Sequence, residues 1–405
     1  MKLKKLLSLL LSVSICMSML VSCTNDDSSS KADSSSSSVT DSSSVADESS
    51  ETDDSSRAPS VGDTLQDMRD ISSAELVKEM KTGWNLGNTL DAIGNPTVGA
   101  ETHWQKVPTT KELITFLKEG GFNVLRIPVS WGEHMDENYV VDEAWMQRVR
   151  EIVDYGIEND MYVILNTHHE EWYFPNEENK AQDIEQLTAL WSQIAEEFKN
   201  YDEHLIFEGL NEPRLRGTQY EWNGGNAEGQ KVVAEYAQAF YNTVRNSGGN
   251  NPKRHLMLTG YAASSNRMAL SKLWLPEDDD KVIVSVHAYL PYSFALDTKG
   301  TDEFGDGNKG EIDSFFETLY DKFTSKGIPV IVGEYGSVNK MNTEERIECV
   351  TYYLTKAKEQ GIPCIWWDNN AIVGNGENFG IVDRTFPQSW RFEGLVDAIM
   401  AVYDE

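Results

Sequence analysis

The chain has 405 residues, 66 acidic and 35 basic, with a formal net charge of −31. That balance excludes a nucleic-acid binder, which needs clustered Lys and Arg against phosphate, and makes an anionic membrane surface an unfavourable partner. Hydrophobic residues at 40% supply a core for one large domain or two ordinary ones, and eleven tryptophans are a first pointer to sugar rings, whose apolar faces stack on indole.

Lys2, Lys4 and Lys5 precede an apolar stretch at residues 6–20, too short to span a bilayer comfortably and laid out as a secretory signal. It ends Leu20-Val21-Ser22-Cys23, which resembles a bacterial lipobox. The resemblance implies a signal peptide at 1–22 and an acylated Cys23 as the mature N-terminus. The protein is then expected outside the cell, touching the bacterial membrane only through this lipid. An ordinary signal peptide with an incidental cysteine is the alternative. Residues 23–58 are almost entirely Ser, Asp, Glu and Thr, with nine acidic residues against Lys31 and Arg57. They cannot form a core, and their like charges favour an extended tether. The two later cysteines, Cys349 and Cys364, fall in a predicted helix and a predicted buried strand, and are expected to be free buried thiols.

From residue 59 to 405 short apolar runs alternate with longer amphipathic segments, eight of each. The expected strands are 83–86, 124–129, 162–166, 205–208, 256–259, 282–286, 330–332 and 364–367, each almost continuously apolar, as strands covered on both faces should be. Helices are expected at 110–119, 142–158, 181–199, 228–246, 343–360 and 392–403. Eight strand-then-helix units over this length predict one closed (β/α)8 TIM barrel. A doubly wound sheet would want a glycine-rich phosphate turn, and Gly83-Trp84-Asn85-Leu86-Gly87-Asn88 has too few glycines at the wrong spacing.

Polar residues gather where the strands end, which is where such a barrel does its chemistry. These are Asn88, Thr89 and Asp91; Arg126 within the second strand; His168-His169-Glu170-Glu171; Asn211-Glu212-Pro213; His287-Ala288-Tyr289; Gly333-Glu334-Tyr335; and Trp366-Trp367-Asp368-Asn369. The fifth strand offers only Tyr261. Closing the barrel brings Glu212 and Glu334 to face each other, and paired carboxylates are what cleavage of a glycosidic bond requires. Glu212 suits the acid, because Pro213 restricts its backbone and Asn211 can donate to the sugar 2-hydroxyl beside it. Glu334, at the end of an apolar strand, suits the nucleophile. Arg126 would favour the ionised form of whichever carboxylate it contacts, since two neighbouring carboxylates do not both ionise cheaply.

Together these residues resemble glycoside hydrolase family 5, a large retaining family that includes many cellulases. The resemblance runs from about residue 65 to the end, and rests on Asn211-Glu212-Pro213, Val332-Gly333-Glu334-Tyr335-Gly336, Arg126-Ile127-Pro128, His168-His169, His287 with Tyr289, and Trp367. The opening GWNLGNTLDA, the stretch at 101–110 and Glu221-Trp222-Asn223-Gly224-Gly225 are similar to subfamily 4, which implies an endo-β-1,4-glucanase acting by double displacement. The resemblance implies Glu212 as acid/base and Glu334 as nucleophile. It places Asn211, His287 and Tyr289 around the reacting sugar, with Tyr289 able to hydrogen-bond Glu334. Trp367 becomes a stacking floor, and Asn88, His168 and His169 contact sugars on the non-reducing side. Trp104, Trp172, Trp222 and Tyr292 are candidate platforms; His103 and His134 are expected to be loop or surface residues. The expected partner is a neutral β-glucan met by a monomer that needs no metal or organic cofactor. Xyloglucan, mixed-linkage glucan, xylan and mannan remain open as substrates.

Two rivals stand beside this reading. A metal-dependent hydrolase could use His168, His169, Glu170 and His287, although adjacent residues of a strand point to opposite faces and make His168 and His169 poor joint ligands unless the strand has already ended. A non-catalytic sugar-capture lipoprotein would be expected to lack one of the two carboxylates, and both are present.

Overall fold

The computed structural model describes residues 59–404; the expected signal peptide, Cys23 and the tether lie outside them. Eight parallel strands form a closed barrel in sequential order: β1 Thr82–Leu86, β2 Val124–Ile127, β3 Tyr162–Asn166, β4 Leu205–Glu208, β5 Leu256–Ser264, β6 Val282–His287, β7 Val330–Tyr335 and β8 Cys364–Asp368. Closure is made by β1 pairing with β8 over five residues, from Thr82 opposite Cys364 to Leu86 opposite Asp368. The expected (β/α)8 barrel is therefore the fold. Strand starts match the sequence expectation within one residue, and β5 runs five residues longer, through Ala262 and Ala263 in left-handed backbone (φ 55° and 44°).

The side-chain period of two sorts each strand into an inner and an outer row. The inner row forms an apolar plug of Val124, Tyr162, Ile164, Ile206, Met257, Ile283, Ile331 and Ile365. β1 contributes Gly83 there because a Cβ would lie 2.8 Å from that of Val124 and 3.0 Å from Ile365. Leu76, Val77 and Met80, from the short helical turns at Ser73–Leu76 and Val77–Glu79, close the plug from below. The outer row, including Leu125, Ile127, Val163, Leu165, Leu205 and Phe207, packs against the helices.

Those helices are Lys111–Glu119, Glu143–Glu158, Lys180–Glu197, Ala227–Arg245, Arg267–Leu270, Asp306–Lys322, Thr343–Glu359 and Glu393–Ala401. Thr110 and Asp142 cap the first two, their side chains accepting from the N–H groups of Leu113 and Trp145. The expectation of eight full units fails at the fifth, where the helix is a single turn of four residues. Pro276 and the acidic run Glu277-Asp278-Asp279-Asp280 follow closely and offer neither N–H continuity nor an apolar stripe. Among the described residues no helix is long and apolar enough to cross a membrane.

Cys349 and Cys364 are both free and buried, as expected. Burial pushes the Cys349 thiol up to about 12 and that of Cys364 well above its ordinary value. Because thiolate is the reactive form, a thiol-specific reagent should label neither residue in the native protein and both after denaturation, as read by peptide mapping.

Candidate active site

Two residues beyond the apolar plug, the same inner row carries a polar or larger aromatic side chain on most strands. Asn85 follows Gly83, Arg126 follows Val124, Asn166 follows Ile164, Glu208 follows Ile206, Ser285 follows Ile283 and Trp367 follows Ile365. All except Trp367, at 9% exposure, are essentially inaccessible. Arg126 lies among them. Its Nε donates to Glu208 Oε2 at 2.7 Å, its Nη1 to Asn85 Oδ1 at 2.9 Å and Glu334 Oε1 at 2.8 Å, and its Nη2 to Asn211 Oδ1 at 2.8 Å. Glu208 is held from its other sides by Ser285 Oγ at 2.5 Å and Asn166 Nδ2 at 3.2 Å. Burial alone would pull the Arg126 guanidinium down, but the charges of Glu208 and Glu334 more than reverse this, so it stays charged.

Glu334 has both carboxylate oxygens engaged, Oε1 by Arg126 and Oε2 by the Tyr289 hydroxyl at 2.8 Å. The Tyr289 contact implied by the family resemblance is therefore present. Burial and the negative charge of Glu334 keep the phenol protonated by raising its pKa well above the ordinary value. Glu212 faces Glu334 across His287, whose Nδ1 is 2.9 Å from Glu212 Oε1 and 3.7 Å from Glu334 Oε1. One ligand atom from each of Glu212, His287 and Glu334 falls within 4.8 Å of the others. Retaining glycosidases hold their carboxylates about 5–5.5 Å apart, whereas inverting ones leave about 6.5–9.5 Å for a water molecule.

The pairing of His287 with Glu212 is absent from the sequence reading, and it ties the ionisation of the two groups together. Burial raises the Glu212 carboxyl, but the hydrogen bond and charge of His287, aided by Arg214, bring it below its ordinary value. Burial lowers His287, while the charge of Glu334 and the bond to Glu212 bring it above its own. The two shifts are opposite in sign, as expected of a carboxylate and an imidazole that share a 2.9 Å hydrogen bond.

His168 and His169 both reach the mouth, because β3 stops at Asn166 and the chain has turned. The sequence argument that neighbours on a strand must diverge therefore does not apply to them. Asn166 Nδ2 donates to His168 Nδ1 at 3.1 Å, and burial lowers the His168 pKa well below its usual value. Its ring lies parallel to Trp367, with centroids 5.6 Å apart. His169 is 5.5 Å from the exposed ring of Trp104 and 4.0 Å from Asp91. Asp91, His168 and His169 can offer atoms within 4.8 Å of one another, so their spacing does not exclude joint ligation. Asp91 is already committed to the N–H groups of Asn88 and Thr89, at 3.0 and 2.6 Å. Glu170 is fully buried and accepts from Trp131 N, Gly132 N and Trp172 Nε1 at 2.6 to 2.9 Å, tying two loops together instead of facing the cleft. Trp172, half-buried, is held in place by the last of these bonds.

Asn88 stands in left-handed backbone (φ 56°). The preceding Gly87 explains part of the GWNLGNTLDA motif, since a Cβ there would lie 2.9 Å from the Trp367 ring. His134, expected at the surface, is instead buried and stacked on Trp145 at 3.6 Å between centroids, with burial lowering its pKa to about 4. Helix Glu143–Glu158 supplies that aromatic partner, which no local pattern around His134 reveals. Four further residues escape the sequence reading: Asn85, Asn166, Glu208 and Glu377. Glu208 had a visible signal, a carboxylate inside the run Leu205-Ile206-Phe207-Glu208. Glu377, on the exposed segment after β8, has its carboxyl raised by partial desolvation and then by the charges of Glu212 and Glu334. Tyr261 on the quiet fifth strand accepts from Leu215 N at 2.8 Å and donates to Tyr220 O at 2.9 Å, anchoring the long segment after β4.

The profile of the cellulase family (glycosyl hydrolase family 5) matches residues 90–372. The chain belongs to that family. It is 57% identical over 337 residues to Endoglucanase 1 of Ruminococcus albus, covering 82% of each chain. A solved GH5-4 broad specificity endoglucanase of Ruminococcus champanellensis, with bound cellotriose, is 47% identical with a TM-score of 0.81, covering 83% of this chain and all of that one. A family 5 lichenase from Caldicellulosiruptor sp. F32 is 41% identical with a TM-score of 0.79, covering 85% of this chain and 98% of that one.

Arg126→Met tests the polar layer of this family 5 barrel. It would leave Glu208 buried and uncompensated and Glu334 without its guanidinium, a change that typically costs about 3–5 kcal/mol. A lowered melting temperature together with loss of hydrolysis is the expected outcome of thermal unfolding and activity measurements.

Proposed function

We infer that this protein is a retaining, endo-acting glycoside hydrolase that cleaves β-1,4-glucosidic bonds of cellulose-like glucans, mixed-linkage glucan among them. The observation that carries the chemistry is the pairing of two carboxylates within 4.8 Å, one held by Arg126 and Tyr289 and the other by His287. The relatives named endoglucanase and lichenase support the substrate class.

In this reading Glu334 attacks the anomeric carbon while Glu212, hydrogen-bonded to His287, protonates the departing glycosidic oxygen. Esterification removes the Glu334 charge. Arg126 and Tyr289 then face a neutral ester, and Glu212, now ionised, accepts a proton from the incoming water. Asn211, fixed by its bond to Arg126, presents its amide to the 2-hydroxyl; Trp367 forms the floor for the reacting ring, and Asn88, His168 and His169 line the non-reducing side. The leader and Cys23 support a secreted protein anchored by lipid to the bacterial membrane and acting as a monomer, with the acidic surface serving solubility outside the cell.

Glu212→Gln should reduce turnover on glucan by about 10²–10⁴-fold, the usual contribution of general acid–base catalysis; near-normal activity would remove Glu212 from the role. Glu334→Ala should abolish hydrolysis, and azide should restore part of it with inverted product. Incubation with carboxymethyl cellulose, mixed-linkage glucan, xyloglucan, xylan and mannan, followed by product sizing, should show early mid-chain cuts in the glucans. Release of only terminal sugars, or preference for xylan or mannan, would contradict the endo-glucanase assignment.

A further inference from the structure

Beyond the pairs already described, Glu212 has a fourth neighbour in the segment that follows β4. The Arg214 guanidinium donates from Nη1 to the backbone oxygen of Glu212 at 3.0 Å, and the same nitrogen is 3.6 Å from Glu212 Oε2. On its other edge, Nε donates to Glu221 Oε1 at 3.2 Å. Its plane is covered by the Trp222 ring, 4.2 Å from the guanidinium carbon, and that indole is 61% exposed. Glu221 is itself fixed, because Gly217 N donates to its Oε2 at 2.8 Å. One cation is therefore divided between two carboxylates, Glu212 and Glu221, and is kept from swinging fully to either by the ring packed on its face.

We propose that Arg214 is a positioning residue for the proton donor, and that Glu221 competes for its charge and so sets how readily Glu212 gives up and regains its proton. The proposal rests on the reading of Glu212 as acid/base. Several other groups face Glu212: His287 from β6, Glu334 from β7 with Arg126 behind it, Tyr289 after β6, His169 after β3, and Glu377 after β8. His287 belongs to the reacting centre, and changing it disturbs both carboxylates. Arg214 touches only the outer oxygen and the backbone of Glu212, and its contacts to Glu221 and Trp222 tie it to the long segment after β4. The sign follows from charge. A cation beside a carboxylate favours its ionised form, which is the wrong form for protonating a leaving group and the right form for activating water.

The test is the pH profile of kcat/KM on a β-1,4-glucan, whose alkaline limb reports loss of the proton that the acid must carry in the free enzyme. Arg214→Ala should move that limb upward by about one pH unit. Glu221→Gln, which releases Arg214 toward Glu212, should move it downward by about half a unit. In the double variant most of the Glu221→Gln shift should vanish, since its route is gone. An aryl β-cellobioside with a nitrophenol leaving group needs little protonation, so its kcat/KM should be almost unchanged by Arg214→Ala across the same range. Equal losses on both substrates with an unmoved limb would reduce Arg214 to a packing residue and overturn the proposal. A Glu221→Gln shift that persists undiminished without Arg214 would also overturn it. Glu212→Gln keeps the two readings apart: an alkaline limb that survives in that variant refutes Glu212 as the acid, whatever Arg214 does.

Discussion

Everything at the mouth of this barrel is arranged around one buried cation. A guanidinium taken wholly out of water is tolerated only where its N–H groups find acceptors and its charge finds partners. Arg126 has these from three strands and the segment that follows one of them: Glu208 on β4, Asn85 on β1, Glu334 on β7 and Asn211 just beyond β4. Because each partner is also bound elsewhere, Glu334 cannot change rotamer without leaving the cation short of a matching charge. Rigidity at Glu334 follows from the desolvation cost of its neighbour.

Strand alternation explains how such a layer comes to exist. Eight strands closing on an isoleucine-rich plug leave the next inner position on each strand above the apolar layer and below solvent. Polar side chains placed there must bond to one another, and they do, from Ser285 through Glu208 and Asn166 to His168. Above that layer the strands give way to loops, and there the structure places groups that can touch a ligand: Glu212 paired with His287, Trp367 stacked on His168, and the exposed rings of Trp104 and Trp222.

The proton economy of the site depends on the same closeness. Glu212 and Glu334 are near enough that their charges oppose, and each is met by its own basic neighbours. Arg126 compensates Glu334, while His287 and Arg214 compensate Glu212.

The sequence by itself determined the barrel, because eight continuously apolar runs separated by amphipathic ones have no other economical closure, and Asn211-Glu212-Pro213, Glu334, Arg126, His287 and Tyr289 were all legible as strand-end polar groups. It could not show Glu208 as a partner of Arg126, since pairing across 82 positions leaves no local trace. Nor could it bury His134 under Trp145 or bring His168 and His169 to one face, because each depends on where a strand stops or which helix passes above. β7 makes the point most directly. Strict alternation from Val330 and Val332 would turn Glu334 outward with them, and the register shifts between Val286 and His287 and between Val332 and Tyr335 accompany its turn inward to Arg126. Residue types and periods are written along the chain; the bulge that redirects one carboxylate is decided only when β6, β7 and β8 pair.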